Sequence, residues 1–538
     1  MATTTLPLAL RRTVAAHPDI SAIIEGEDRT SFAELDEASA RLATGLLRRG
    51  IAKGDHVGLW MSTRREWIVA FCACTRIGAV VVPVNTRYKT EEAAYILRHA
   101  DIRLLLCEAR MWQSDSYAML LEMAPELASA EAGALRLVAF PELRAIAVLG
   151  CEDLPPPLLA MESLLAQPAD LPAVQRAEAE VRESDPLLIC FTSGSTGKPK
   201  GVVQAHRAIS HSERIGRVLH LQAGDVHLAN WPMYHVAGLF IVLVPALLFA
   251  TPMALMPHWD GDRALALIER ERVAIVGGIS THYFDLVEAM ARQPRDTSSI
   301  KAGYIGGATL AAEAFERILG TLKLPRLLST YGMTENTVST TFNGWDDPPE
   351  VCRQNMAPVI TSGQVKVVDP QTLRELPPEA EGEIWCSGPT VMLGYYRQPE
   401  ATAQTLTEDG WLRTGDLGRF TAEGWLRITG RIKDIIKVGG TNVAPAEVEA
   451  LLQRHPSVDF AVVVGVPDDR LGEVPYALVK LRGDAPLSPE ELMRFCTGQI
   501  ASYKVPRHLR FVDDFPRLSN GKIDRKGLGD SAREAVAR

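Results

Sequence analysis

No cysteine of this chain belongs to a Cys-x-x-Cys pair, and no His/Cys cluster stands at zinc spacing; the eight cysteines are scattered from position 72 to 496. With neither a disulfide framework nor a metal finger in view, they read as reduced, mostly buried thiols of a cytoplasmic protein. An excess of positive charge is lacking as well: 57 Lys and Arg stand against 66 Asp and Glu, a net charge of -9. That balance argues against the broad basic face that nucleic acid or an anionic membrane requires, so any anion site must be local. Residues 1–7 show no basic region followed by an apolar one, so no export signal is expected. Short-period repeats and low-complexity tracts are not apparent.

Asp, Glu, Lys and Arg are missing from residues 230–259, and the apolar run 239–256 is long enough to span a bilayer. Pro245, Thr251 and Pro252 interrupt it, and a single crossing would put the polar motifs before and after it on opposite sides of a membrane. The segment is therefore expected to be buried core, without stable membrane insertion.

At 538 residues the chain exceeds what one hydrophobic core serves and should divide into at least two domains. Residues 56–61, 79–84 and 103–107 read as strands, and 65–77 and 91–99 as helices. This is a βαβαβ order and implies a largely parallel sheet. Residues 141–186, rich in Pro, Ala and Glu, read as a surface excursion before the sheet resumes at Leu187. Near Gly430 the pattern changes to a shorter unit, with a helix at 446–454 and an apolar run at 460–466. The expected fold is α/β: a large N-terminal domain (1–430) with mostly parallel sheets flanked by helices, plus a small α+β C-terminal domain (431–538) of a size that can fold independently.

The stretch Phe191-Thr-Ser-Gly-Ser-Thr-Gly-Lys-Pro-Lys-Gly201 holds three glycines, two lysines and four hydroxyls in eleven positions. A Walker loop needs four residues between its first glycine and Gly-Lys-Ser/Thr; here only Ser195 and Thr196 separate Gly194 from Gly197, and Pro199 follows Lys198. Pro199 disfavours helical geometry at Lys198, so the loop should join two strands, 187–191 and 201–204, rather than open a helix. Backbone N–H groups, hydroxyls and Lys200 would then surround a polyphosphate.

Thr192 to Gly201 closely resembles the phosphate loop of the adenylate-forming acyl-CoA synthetase superfamily. Four further motifs follow in that family's order: Tyr331-Gly-Met-Thr-Glu335, Thr414-Gly-Asp-Leu-Gly418, Gly430-Arg-Ile-Lys-Asp434 and Asn520-Gly-Lys-Ile-Asp-Arg525. The resemblance covers nearly the whole chain. It implies a ligase that uses ATP, Mg2+ and coenzyme A: a carboxylate attacks the α-phosphate to give acyl-AMP and pyrophosphate, and a thiol then displaces AMP. Such an attack on a polyanion requires a metal and fixed cations.

By resemblance, Thr192, Ser193, Gly194, Ser195, Thr196, Gly197 and Lys200 hold phosphates. Glu335 and Thr196 hold Mg2+, and Thr334 meets the α-phosphate. Tyr331 and Gly332 border adenine with Gly306, Gly307 and Ala308, while Asp416 and Arg431 take the ribose. Lys522, following the Asn520-Gly521 turn signal and so carried on a tight loop, is implied as the lysine of adenylation. Lys437, with Gly439 and Gly440 admitting the pantetheine arm, is implied as that of thioester formation. The small domain would be mobile, turning about a hinge at Lys433. Trp231-Pro-Met-Tyr-His-Val-Ala-Gly238 resembles the acyl-pocket segment of the family, making His235 a gate candidate as well as a candidate structural histidine. Tyr234, Gly278, Ser280, Tyr304 and Thr330 should line the rest.

No Arg or Lys is evident in that set, which favours a neutral-tailed monocarboxylic acid, aliphatic or aromatic. The chain departs from the family at 355–364, where many relatives carry a Gly-x-Pro-x-Pro-Gly-like turn, and this puts local adenine contacts in question. Three other readings stand beside the ligase: an adenylating enzyme that loads a carrier protein, a luciferase-like oxygenase sharing the first step, and a non-catalytic nucleotide- and acyl-binding regulator. Retention of both half-reaction lysines speaks against the last. The expected partner is a small carboxylic acid, with no nucleic acid, and a homodimer is compatible with the sequence.

Overall fold

The computed structural model describes every residue except 1–4, 112–113, 130–134, 152–153, 193–197, 308–309, 311, 355, 361–362, 484–486, 519–521 and 538. Two eight-stranded sheets form the frame of the large N-terminal domain. In the first, Leu327–Tyr331, Ala302–Gly306, Ile275–Gly278, His227–Ala229, Met253–Leu255 and Ser21–Glu25 run parallel, and antiparallel strands Thr341–Phe342 and Asp28–Ser31 close the two edges. In the second, Pro186–Thr192, Val80–Pro83, His56–Trp60, Leu104–Glu108 and Ala145–Leu149 run parallel. Lys200–Ala205 then returns antiparallel to Pro186–Thr192 and pairs onward with Gly394–Tyr395. The expected βαβαβ unit is therefore present.

Helices Phe32–Arg48 and Arg65–Arg76 help to join the sheets into one core. Every residue from Trp67 to Arg76 is buried, so this helix is apolar nearly all round. Its one buried charge, Arg76, is neutralised by Glu178 at 2.6 Å and Asp36 at 2.8 Å, as burial of a guanidinium demands.

The apolar run is core, as expected. It does not stay helical: a π-helical segment Gly238–Leu243 leads into a short helix Val244–Phe249, left-handed Ala250 stops it, and Met253–Leu255 becomes a parallel strand. Among the described residues no helix is long and apolar enough to cross a membrane. The expectation for 141–186 fails. Ala145–Leu149 is a buried parallel strand, and Leu171–Glu180 supplies Glu178 to Arg76. The Pro, Ala and Glu content of the segment concealed a five-residue apolar strand, because composition averages over what a short strand needs.

A third sheet, fully antiparallel, was not anticipated: Met356–Ala357, Leu426–Arg431, Leu412–Phe420, Gly382–Cys386 and Val365–Val368. The small C-terminal domain has its own antiparallel hairpin, Val458–Asp468 with Gly472–Leu481, flanked by Ile436–Val438 and Thr441–Val443. Helices Pro445–Leu452, Pro489–Cys496 and Arg525–Ala537 complete its separate hydrophobic core.

Candidate functional site

The site forms where the parallel strands of the first sheet end and the third sheet meets them. Strand Ala302–Gly306 ends in Gly306 and Gly307. A Cβ on Gly306 would lie 2.8 Å from Thr330 Cγ2, and Gly307 has φ +84°, so neither position takes a side chain without strain. The adjacent strand Leu327–Tyr331 ends in Tyr331, whose Oη donates to Asp416 Oδ2 at 2.7 Å. Asp416 is 2% exposed, and directly across the antiparallel register Arg431 Nε donates to its Oδ1 at 2.5 Å. Partial enclosure opposes the Arg431 charge, although its side chain is 46% exposed, but Asp416 beside it prevails and raises the pKa above that of a free arginine. Burial, then the Asp416 charge, pushes the Tyr331 phenol well up, so it remains a donor. The carboxylate is thus held between two donors in a dry setting, which fixes its orientation.

Beyond Tyr331 the chain turns sharply. A Cβ at Gly332 would lie 2.1 Å from the Val338 carbonyl oxygen, so glycine is required there for close approach of backbone. A 3-10 turn Thr334–Asn336 presents Glu335, whose Oε1 accepts from Tyr395 Oη at 2.8 Å. Lys200 Nζ stands 4.8 Å from the centre of the same Tyr395 ring. Thr192 and Lys200 face each other in the antiparallel pair on either side of the glycine-rich loop. Ser193, Gly194, Ser195, Thr196, Gly197 and Ala308 lie outside the described residues.

Lys522 comes from the other domain. Its Cε lies 3.6 Å from where a Cβ on Gly307 would stand, and it feels the charges of Arg431, Asp416 and Glu335. Leu518 N–H donates to the Lys522 carbonyl at 2.7 Å, and Arg525 is bidentate to Glu449 at 2.6 and 2.8 Å; residues 519–521, with the expected Asn520-Gly521 turn, lie outside the described residues. The Lys522 side chain is reached by solvent although protein encloses the site on several sides. That enclosure, ahead of repulsion from Arg431, lowers its pKa from the ordinary lysine value, with Asp416 and Glu335 opposing. A second link crosses the domains at Arg317 and Asp459, 3.7 Å apart.

Lys437 is not brought to this place. It is exposed on the small domain, its N–H bound to Glu473 Oε2 at 3.0 Å, and among the described residues it has no hydrogen bond or ion pair to the large domain. Gly439 and Gly440, with φ +57° and +82°, form the two-residue turn between Ile436–Val438 and Thr441–Val443, a geometry that glycine pairs favour. Lys433 is exposed in the 3-10 turn Ile432–Asp434, two residues beyond Arg431.

The acyl-side candidates cluster on the neighbouring strand ends and are aromatic or small. Tyr304 is fully buried, and a Cβ on Gly277 would lie 1.9 Å from its Cζ, so Tyr304 occupies the space that Gly277 leaves. Its hydroxyl stands 3.3 Å from His227 Nε2. Gly278 lies against His282, and Ser280 opens helix Ser280–Arg292. Thr330 donates to the Thr341 carbonyl at 2.9 Å, and Tyr234, largely enclosed, passes its carbonyl to Cys190 Sγ. His235 stacks on Trp231, accepts from Ala237 N–H on Nδ1 at 3.2 Å, and is pushed down to about 4 by burial and then by the Lys522 charge. It is neutral near pH 7. Arg87 and Arg517, both exposed, are near enough to help lower His282 to about 3 after burial; neither was anticipated.

Three participants were missed in the sequence: Tyr395, Gln204 and Asn230, which donates to the Gly277 carbonyl at 2.9 Å. Gln204 carried a readable signal, a polar side chain between Val203 and Ala205 in a mostly apolar strand. Tyr395 carried none, because its partner Glu335 is sixty positions away.

Two mostly parallel sheets with a small second domain over their strand ends make the architecture of an adenylate-forming enzyme. Residues 10–396 match the AMP-binding enzyme family, and residues 447–522 match the AMP-binding enzyme C-terminal domain. The chain belongs to that family and, within it, to the acyl-CoA synthetases. It is 32% identical over 536 residues to a 3-(7a-methyl-1,5-dioxo-octahydro-1H-inden-4-yl)propanoyl:CoA ligase of Rhodococcus jostii, covering 98% of this chain and 99% of the relative. It is 32% identical to the mitochondrial medium-chain acyl-CoA ligase ACSF2 of Rattus norvegicus, covering 95% and 84%. The ATP-bound crystal structure of MatB from Rhodopseudomonas palustris superposes with a TM-score of 0.86 at 27% identity, over 99% of both chains.

Proposed function

We propose that the protein is an ATP-dependent acid–CoA ligase acting on a neutral-tailed monocarboxylic acid, aliphatic or aromatic. The observation that carries this reading is the convergence of Glu335, Asp416, Arg431 and Lys522, drawn from two domains, around the Gly306–Gly307 strand end. Asp416, held by Tyr331 and Arg431, offers its oxygens to the ribose; Tyr331 and Gly306–Gly307 border the base. Thr192, Lys200 and the hydroxyls of 193–197 take the phosphates.

Mg2+ fits this donor set. Glu335 is a hard oxygen ligand, and its second carboxylate oxygen has no hydrogen-bond partner among the described residues. No group of three metal-ligating side chains exists among those residues, so the nucleotide's phosphates would complete the shell, as is usual for this ion. When bound, the ion would neutralise phosphate charge that repels the incoming carboxylate.

In adenylation the acid's carboxylate oxygen bonds to the α-phosphorus as the bond to pyrophosphate breaks. Lys522 holds the carboxylate and α-phosphate together, Thr334 contacts the α-phosphate, and His235 closes the acyl side. In the second step a coenzyme A thiolate attacks the acyl carbon and AMP departs. That step calls for Lys437, Gly439 and Gly440 in place of Lys522, hence a rotation of residues 431–538 on residues 1–430 about Lys433. The position of Lys522 beside Gly307, with Lys437 at the exterior, supports reading this arrangement as the adenylating one. The acid assignment rests on the uncharged walls at Tyr234, His235, Gly278, Ser280, Tyr304 and Thr330. Cytoplasmic residence is part of the proposal.

Incubation with ATP, Mg2+ and a panel of aliphatic, aromatic and dicarboxylic acids tests it, following pyrophosphate and then AMP with and without coenzyme A. Acid-dependent pyrophosphate and coenzyme A-dependent AMP are expected with monocarboxylates. Preference for a dicarboxylate would overturn the substrate class and point to Arg87 or Arg517. AMP release indifferent to coenzyme A would overturn the acceptor.

A further inference from the structure

The turn that presents Thr334 and Glu335 is held in an unfavourable shape. Thr337, buried and β-branched, has φ +65° and ψ -66°, and Val338 N–H donates to the Asn336 carbonyl at 2.8 Å across it. This is a γ-turn of the rarer, strained hand, which a β-branched residue adopts only under restraint. The restraint is a set of buried polar groups. Gln204, with no exposed surface, donates from Nε2 to the Thr334 carbonyl at 2.7 Å. Its Oε1 lies 3.4 Å from Thr337 Oγ1, which also donates to the Thr390 carbonyl at 2.6 Å. Thr390 Oγ1 donates to Asn336 Oδ1 at 2.5 Å, and Asn336 Nδ2 donates to Thr340 Oγ1 at 3.0 Å.

Gln204 stands on Lys200–Ala205, the strand leaving the phosphate loop; Thr390 belongs to the segment that continues to Tyr395, the partner of Glu335. We propose that Gln204 and Thr337 are positioning residues: by holding the strained turn they tie the Thr334–Glu335 pair to the phosphate-loop strand and so set the affinity for magnesium-bound ATP. Resting on the ligase reading above, this assigns to that site two residues that touch no reacting atom. An apolar side chain at 204 would leave the Thr334 carbonyl without its donor and release the turn.

The test measures MgATP affinity by calorimetry without acid, alongside melting temperature and acid-dependent ATP–pyrophosphate exchange. Gln204→Leu should weaken MgATP binding about tenfold, the size typical of an outer-sphere support. Adding Thr337→Gly, which adopts positive φ without strain, should restore most of that loss. Thr337→Val should behave like Gln204→Leu, and Thr337→Ser, which keeps the hydroxyl, like wild type; this pair decides the matter if Gln204→Leu does not fold. Wild-type affinity in both Gln204→Leu and Thr337→Val overturns the proposal, as does a loss that follows the melting temperature and is not restored by glycine. If wild type binds MgATP but no acid supports exchange, the ligase reading falls while the binding series still judges Gln204. A wild type that does not bind MgATP overturns both.

Discussion

The two ends of the proposed site, one for nucleotide and one for the acyl group, are built from opposite materials. At the nucleotide end a carboxylate lies between a phenol and a guanidinium, Asp416 with Tyr331 and Arg431, and a second carboxylate, Glu335, is fixed by Tyr395. At the acyl end the walls are Tyr304, Trp231, two neutral histidines and glycine gaps, and polar contacts go mostly to backbone or to other rings. Charge-assisted bonds demand one ligand geometry, whereas an aromatic cavity accepts whatever fills it. On that proposal the nucleotide end would suit one fixed ligand geometry, and the acyl end would set the choice of acid.

The sharpest way to break that division is Lys522, which in the proposed reaction would serve both ends. Lys522→Ala should lower acid-dependent pyrophosphate exchange by about 10²–10³-fold and leave thioester formation from supplied acyl-adenylate unchanged in single-turnover assays. Equal loss in both steps would remove the separation of roles. Asp416→Asn keeps the shape and removes the charge; it should raise KM for ATP by about 10–100-fold, the worth of a hydrogen bond to a charged group, without moving KM for the acid. Movement of both constants together would show that the ends are not independent.

Acid should weaken the fold through its buried neutral histidines, of which His227 faces Tyr304. His227 is fully buried and lowered to about 3 by burial, so below pH 6.5 the unfolded chain takes up a proton that the folded one refuses. Its contribution is complete above pH 6.5 and falls by about 1.4 kcal/mol per pH unit toward pH 3. Urea unfolding at pH 7 and 5 should show this, and His227→Asn should flatten the slope. The smallest expected effect is that of Tyr304→Phe, which removes the hydroxyl facing His227: about 0.5–1.5 kcal/mol in stability, a changed ranking of acids, and no change in KM for ATP.

Much of the frame could be read in advance because it is local. The pairing of Pro186–Thr192 with Lys200–Ala205 and the βαβαβ unit each follow from residues within a few positions of one another, while the turn expected at Asn520-Gly521 lies outside the described residues. What escaped was non-local or averaged away: the strand Ala145–Leu149 inside a Pro- and Glu-rich stretch, and the antiparallel sheet that carries Asp416. The Tyr395–Glu335 bond spans sixty residues and had no signature in either segment.

By itself, then, the sequence determined the residue types and their order: a glycine-rich loop, a Thr-Glu pair, the carboxylate of Asp416 and two lysines on a small second domain. Those motifs depend on short-range geometry, which a few consecutive residues specify. Only the tertiary structure decided that Lys522 rather than Lys437 reaches the Gly307 strand end, that Arg431 faces Asp416 in register, and that Gln204 braces Thr337. Each of these joins elements far apart in the chain, where the outcome is set by how sheets and domains pack and not by any stretch of sequence that could be read alone.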